Sequence, residues 1–402
     1  MRRRDQCRAI RVLAIDHTAG LAGGEVALAR LLAEIDRVRF TPSVVLLEDG
    51  PLVQRLREAS VRTAVLPTSR ALTTAGRADV AASPLALLLN AARTAMLIPR
   101  LSAAIRGAGA DLVVANSLKA AVITALAAPL AGRPWVWHLH DRIARDYLPG
   151  VLVRALRLLA RVGPRMVVVN SEATGRTLPN MPAGRTVVVY PAVPDTAPIP
   201  PRSPATPTFG LLGRIAPTKG QLEFVHAAAE LARTMPDARF EILGDAMFND
   251  HVFADEVRTL PRLLGIEERV TFAGWVDDPA AALAGLTALI HASPVPEPFG
   301  QVVIEGMLAG VPVIATAAGG VPEIVDPDGA GEAAGQGVTR TPYGLLIPPG
   351  DVAAMAAAMA WVVAHPVDAA HAAARAQTMA RARFDIAISA ARAQDAWAHA
   401  LR

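Results

Sequence analysis

The strongest constraint in this chain is a rhythm that runs twice. In the first half, short apolar runs at residues 10–15, 43–47, 111–115, 134–138, 166–170 and 186–190 alternate with longer, helix-periodic segments. Runs that are apolar throughout suit strands covered on both faces, so the pattern predicts a parallel sheet with helices on either side. Residues 194–207 then carry six prolines, at 194, 198, 200, 201, 204 and 207. Proline cannot donate to a sheet ladder, so this stretch reads as a semi-rigid linker. The alternation restarts at residues 209–212, 240–243, 269–273, 287–290, 312–315 and 343–347. A chain of 402 residues exceeds what one core normally holds. The expected organisation is a first α/β domain over 1–193, a linker over 194–207, a second α/β domain over 208–384 and a terminal segment over 385–402.

The densest chemistry lies at residues 291–325, HASPVPEPFGQVVIEGMLAGVPVIATAAGGVPEIV. A proline-rich loop holds Glu297, just ahead of a helix expected from about Gly300, with Glu305 inside that helix. Free N–H groups at a helix start suit an anion. At ~1.5 Å per residue, Glu305 lies about a turn and a half further on. Two carboxylates placed this way can hold different parts of one elongated ligand, with a phosphate between them and a diol such as ribose at one end. Earlier, Gly213-Arg214-Ile-Ala-Pro-Thr-Lys219-Gly220 joins a strand end to a helix start, where Arg214 and Lys219 suit a diphosphate. Lysine occurs only at 119 and 219; among so many arginines, a compact ammonium at 219 points to a specific need.

These residues resemble a known family. Glu297 and Glu305, with seven residues between them, match the E-x7-E signature of retaining glycosyltransferases of the GT-B class, family 4. Pro298-Phe299-Gly300, Gly310-Val-Pro-Val313 and Gly319-Gly-Val-Pro-Glu323 match too, and residues 213–220 resemble that family's G-R-x-x-x-x-K-G phosphate site. The resemblance implies two Rossmann-like domains facing a central cleft, with the terminal segment packing back on the first domain. It implies that Glu297 orients the transferred sugar, Glu305 binds the ribose, and the turn at Gly274-Trp275-Val276 lines the nucleotide pocket near the base. After a strand, however, a tryptophan such as Trp275 is more often core.

The first half matches at two loops only. Gly23-Gly24, after the first strand, reads either as a phosphate-binding turn before a helix or as a simple strand–helix turn; in the family this loop lies over the donor diphosphate or near the acceptor. His138-Leu-His140-Asp141 could be a satisfied loop pair or hold a metal, though no third His or Cys stands nearby to complete a zinc set. In similar transferases a histidine here touches the sugar near its C6 hydroxyl; His140 is the better match and His138 the fallback.

The expected activity is therefore hexose transfer from a nucleotide-diphosphate sugar to a glycan, glycolipid or small-molecule acceptor, with no cofactor. No metal is expected: Asp326-Pro327-Asp328 has the Asp-x-Asp form but reads as a turn, and Arg214, Lys219 and the helix start near Gly300 can neutralise the leaving group. The alternatives are an epimerase or hydrolase on the same architecture, or a non-catalytic nucleotide-sugar-binding subunit. A dinucleotide oxidoreductase is disfavoured by the missing Gly-x-Gly-x-x-Gly after the first strand.

Composition bounds the setting. A lone cysteine, Cys7, allows no internal disulfide, and the basic start runs into a first strand rather than a leader, so a cytoplasmic protein is expected. The run from Pro84 to Ala104 is broken by Asn90, Arg93 and Arg100 and reads as an amphipathic helix. Residues 1–195 carry 26 Lys+Arg against 14 Asp+Glu, or +12, and residues 196–402 carry 14 against 22, or −8. The basic half suits either peripheral contact with an anionic membrane face or merely solvated arginines. Aromatic residues do not interleave with the basic ones, so nucleic acid is not expected as a partner.

Overall fold

The computed structural model describes residues 8–68, 84–193, 206–246 and 250–402. Cys7 and residues 194–205 of the proline-rich stretch lie outside the described residues. The chain divides into two compact units, Met1–Ala192 with Ile386–Arg402, and Val193–Asp385.

The first unit is built on strands β1 (Ile10–Asp16), β2 (Phe40–Leu46), β3 (Arg62–Val65), β4 (Leu112–Ala115), β5 (Trp135–Leu139), β6 (Met166–Val169) and β7 (Thr186–Val188). They form one sheet in the order β3-β2-β1-β4-β5-β6-β7, with every pair parallel. Successive side chains in a strand point to opposite faces. Leu13, Ile15, Val113, Trp135 and Trp137 accordingly enter one core, and Val12, Ala14, Leu112, Val114 and Val136 the other. The apolar run predicts a strand in each case. β3 is the exception, absent from the sequence reading because its residues are only half covered at the sheet edge and Arg62 is exposed.

The last helix, Ile386–Ala400, belongs to this unit. Trp397 is fully buried; its Nε1 donates to His138 Nε2 at 3.0 Å, and the two rings stack with centroids 5.8 Å apart. Ser389 Oγ donates to the Tyr190 carbonyl, and Gln394 Oε1 accepts from the Asp36 amide.

The second unit holds β8 (Thr208–Leu212), β9 (Arg239–Leu243), β10 (Val270–Gly274), β11 (Ala288–His291), β12 (Val313–Thr316), β13 (Glu332–Ala333), β14 (Thr339–Thr341) and β15 (Gly344–Ile347). Their order is β10-β9-β8-β11-β12-β15-β14-β13. All pairs are parallel except the antiparallel β13–β14 and β14–β15. The glycine-rich stretch 329–337 supplies an edge strand, because the turn at Gly335, Gln336 and Gly337 takes positive φ and folds β13 back on β14. Phe209, Phe224 and Phe240 pack together beside this sheet.

In both sheets the parallel strands wind outward in opposite senses from a switch point, between β1 and β4 in the first and between β8 and β11 in the second. In doubly wound sheets, ligands bind at the carboxyl ends of the strands at such a switch point. Among the described residues no single helix is long and apolar enough to cross a membrane. A bent pair, Val352–Ala364 with Pro366–Ala400, passes on length and composition, but Met355, Ala358, Met359 and Val362 of its first arm are packed in the second core.

Candidate functional site

In the second unit, the loop after β8 and the loop after β11 meet at the switch point. Gly220 caps the helix Gln221–Ala232 at φ +79°, and a Cβ there would overlap the Ala292 carbonyl. That close approach needs glycine. It sets Lys219 against the loop carrying Glu297: Lys219 Nζ lies 2.7 Å from Glu297 Oε1. Ser293 Oγ stands 3.4 Å from Glu297 Oε2 and donates to the Thr218 carbonyl at 2.5 Å. Buried His291 at the end of β11 places Nε2 3.8 Å from Glu297 Oε2, while its Nδ1 meets Thr316 Oγ1 at 3.1 Å.

The backbone of Glu297 is fixed as firmly as its side chain. Gly320 N–H donates to the Glu297 carbonyl at 2.9 Å, and Gly319, at φ +67°, lies so close that a Cβ would overlap that carbonyl. Burial pushes the Glu297 carboxyl up, but the Lys219 ammonium and the His291 ring outweigh it and hold the group well below the usual carboxylate range. The result is a fixed, partly buried ion pair in the loops that follow β8 and β11.

Gly300 begins the helix Gln301–Leu308 at φ +112°, with no side-chain cap. Glu305 is the fifth residue of that helix and partly buried. Arg214 Nη1 pairs with Asp250 Oδ2 at 3.1 Å, and its carbonyl accepts from the Gln221 side chain at 2.9 Å. Nothing in the sequence marked Asp250 as Arg214's partner; it lies 36 residues on, beyond β9. Gly274 ends β10 at φ +69°, followed by Trp275 and Val276. Trp275 is 54% exposed, its Nε1 donating to Asp277 Oδ1 at 3.0 Å, so the expectation of a core tryptophan is corrected. Asp326 is a turn residue: its carboxylate accepts from the amides of Ala330 and Gly331.

In the first unit, the helix Gly23–Glu34 starts on the glycine pair itself, with extended Ala22 as its cap, so Gly23 and Gly24 are its first turn rather than a loop before it. Buried Asp16 ends β1 and buried Asn116 follows β4. Asn116 Nδ2 donates to Asp16 Oδ2 at 2.7 Å and to the Gly24 carbonyl at 3.2 Å. Its Oδ1 lies 3.0 Å from His140 Nε2. His17 Nδ1 lies 2.8 Å from Ser117 Oγ and 3.1 Å from Asp16 Oδ1. His138 and His140 share a face of β5 and its extension and line a cavity of about 30 Å³ with Leu28, Asn116, Asn170 and Tyr190. Burial, with the neighbouring His140, pushes His138 down to about 3; burial also lowers His140, against the pull of Asp141 and Asp16.

One group of described residues could hold a cation: Asp16, His17 and Glu25, with ligand atoms within 4.8 Å of one another. Asp16 and His17 are already engaged with Asn116 and Ser117, so the trio reads as part of that network.

The geometry joins Lys219 to Glu297 in one unit and Gly24 to His140 in the other, and it holds Arg214 on Asp250. Sequence reading missed Asp16, Asn116, His291 and Ser293. The polar residue at the end of an apolar strand was the signal for Asp16, Asn116 and His291.

Comparison with known proteins bears on both units. Residues 22–196 match the family model described as Glycosyltransferase Family 4, and residues 206–365 that described as Glycosyl transferases group 1. The chain is 32% identical to the D-inositol 3-phosphate glycosyltransferase of Kineococcus radiotolerans over 225 residues, 50% of this chain and 49% of that protein. It is 32% identical to the 2-deoxystreptamine glucosyltransferase of Streptomyces kanamyceticus over 162 residues, 40% and 37% of the two chains. The chain thus spans about half the length, or less, of the curated relatives it matches. The structure of Anabaena HepE in complex with UDP-glucose is similar with a TM-score of 0.78 and 27% identity, over 96% of this chain and 99% of that one. Sucrose-phosphate synthase from Thermosynechococcus elongatus shares the fold at a TM-score of 0.75 and 18% identity, over 96% and 98%. With a doubly wound sheet in each half and a matching model across each, the chain belongs to the group 1 glycosyl transferases and has their two-domain, Rossmann-like GT-B fold.

Proposed function

We propose that the chain transfers a hexose from a nucleotide-diphosphate sugar to a glycan, glycolipid or small-molecule acceptor, with retention at the anomeric carbon and without a metal. The observation that carries this reading is the Lys219–Glu297 ion pair at 2.7 Å, set in the loops that follow β8 and β11 of the second sheet. Departure of a diphosphate builds negative charge, which fixed cations stabilise without reorganising. Lys219 and Arg214 supply that charge, together with the N–H groups at the helix start after Gly300. Glu297, kept ionised, accepts hydrogen bonds from sugar hydroxyls; Glu305 takes the ribose diol; Gly274, Trp275 and Val276 flank the base. His140 is the first unit's sugar-engaging residue. The bond from the anomeric carbon to the diphosphate oxygen breaks, a bond to the acceptor oxygen forms, and the acceptor's proton leaves with the diphosphate.

The choice of donor is supported by HepE, whose structure holds UDP-glucose. A mannosyltransferase relative is GDP-mannose-dependent, so both nucleotides are tested. UDP and GDP are compared by thermal shift; bound ligand adds ~2.7 kcal/mol at a hundredfold excess over Kd. UDP-glucose and GDP-mannose are then offered with an acceptor panel including D-inositol 3-phosphate and 2-deoxystreptamine, with and without EDTA. The expected outcome is a shift with one nucleotide, EDTA-insensitive diphosphate release that requires acceptor, and an α-linked product by NMR. Release from donor alone identifies a hydrolase, and binding without release a binding subunit. The excess positive charge of residues 1–195 further supports peripheral contact with anionic headgroups, tested by co-sedimentation with phosphatidylglycerol vesicles.

A further inference from the structure

We infer that Asn116 is a positioning residue, which Asp16 and the Gly24 carbonyl orient so that it holds His140 as its Nε2–H tautomer.

Donors and acceptors alone fix the orientation of the amide and the tautomer of the ring. An Asn amide offers a donor nitrogen and an acceptor oxygen, and its orientation follows from its partners. The Gly24 carbonyl can only accept, and it lies 3.2 Å from one end of the Asn116 amide. Asp16 Oδ2 lies 2.7 Å from the same end. That end is therefore the NH2. The opposite end, a carbonyl oxygen, faces His140 Nε2 at 3.0 Å, so Nε2 must carry a proton. Burial favours the neutral ring, against the pull of the Asp141 and Asp16 carboxylates. A neutral imidazole with Nε2–H keeps Nδ1 as its acceptor. The ring's position is set from a second side as well: a Cβ at Gly24 would stand 3.3 Å from His140 Cδ2 and Cγ. Gly24 thus holds Asn116 by its carbonyl, and its missing Cβ leaves room for the ring.

Asp16 lies at the end of β1 and Asn116 just after β4, the two strands flanking the first unit's switch point. Asn116 is 1% exposed, and its three partners use both of its hydrogens and its oxygen. A catalytic consequence rests on the proposed sugar-engaging role of His140; the tautomer does not.

The test is long-range proton–nitrogen NMR on the full chain with 15N-labelled histidine, the His140 signals being assigned by their loss in His140→Gln. A single Nε2–H tautomer at pH 7.5 is expected in the unaltered protein. In Asn116→Ala, tautomer mixing or a switch to Nδ1–H is expected, with kcat lowered on the order of tenfold to a hundredfold and donor KM within about twofold. An Nδ1–H ring in the unaltered protein, or an unchanged tautomer in Asn116→Ala, overturns the inference. Should Asn116→Ala fail to fold, the unaltered protein's tautomer decides alone. Should no donor and acceptor pair react, the proposed transfer fails, while the NMR result still decides the role of Asn116.

Discussion

The Lys219 ammonium lies 2.7 Å from a Glu297 carboxylate oxygen across 78 residues of sequence. Each group stabilises the other in a partly buried setting: the carboxylate offsets the ammonium's desolvation, and the ammonium holds the carboxyl ionised against burial.

Lys219→Ala leaves that carboxylate without its cation. The expected outcome is loss of both nucleotide affinity and turnover, with kcat falling about 10²–10³-fold. Glu297→Gln keeps the shape, and is expected to spare nucleotide binding while lowering kcat. Calorimetric titration with the nucleotide diphosphate, alongside initial rates, separates the two variants; equal loss of binding in both contradicts the division of roles.

Gly319→Ala tests the backbone of the same site. The residue sits at φ +67°, and a Cβ would overlap the Glu297 carbonyl. Left-handed strain and steric overlap together predict a loss of about 2–4 kcal/mol. Urea unfolding measures it, and a variant within about 0.5 kcal/mol of the parent shows that the loop yields cheaply.

His138 predicts a pH dependence. Its folded pKa of about 3 lies below the ordinary imidazole value of 6.5, so the unfolded chain binds the proton more readily between those limits. This contribution is fully present above pH 6.5 and is lost as pH falls toward 3. Between pH 7.5 and 5 it removes about 2 kcal/mol of stability. His138→Gln retains an acceptor for Trp397 Nε1, and the difference between parent and variant over that pH range should shrink by this amount in urea melts. Identical pH profiles for the two place the pH sensitivity elsewhere.

Trp275→Ala addresses the exposed indole after β10. If it flanks the base, nucleotide affinity falls by about 1–3 kcal/mol, the range for base–aromatic stacking. The fold should be unaffected, since the ring is not part of a core. Circular dichroism and titration together read both effects, and unchanged affinity removes Trp275 from the pocket.

The elements that were legible in advance share a physical cause. Strands such as β1, β4 and β11 are apolar on both faces because helices cover both faces, and that leaves an unbroken run in the sequence. β3 and β13 are edge strands with exposed residues and carry no such run. Glu297, Gly319 and Lys219 stood out because helix starts and positive-φ turns demand particular residue types locally. For Asn116 the local pattern marks only a polar residue after an apolar strand; its partners are 100, 92 and 24 residues away, and the sequence does not record them.

The order of apolar runs, prolines and glycines was enough to determine two wound parallel sheets, and it singled out residues 291–325 as the stretch proposed to hold a phosphate-bearing ligand. Hydrophobic periodicity and backbone geometry act over a few residues and so are written in the chain's local order. Tertiary structure alone decided that Glu297 is paired with Lys219, that Arg214 turns to Asp250, and that the terminal Trp397 closes over His138. Those outcomes depend on which strand ends the sheet brings side by side, and hydrogen bonds and ion pairs are made only at that distance.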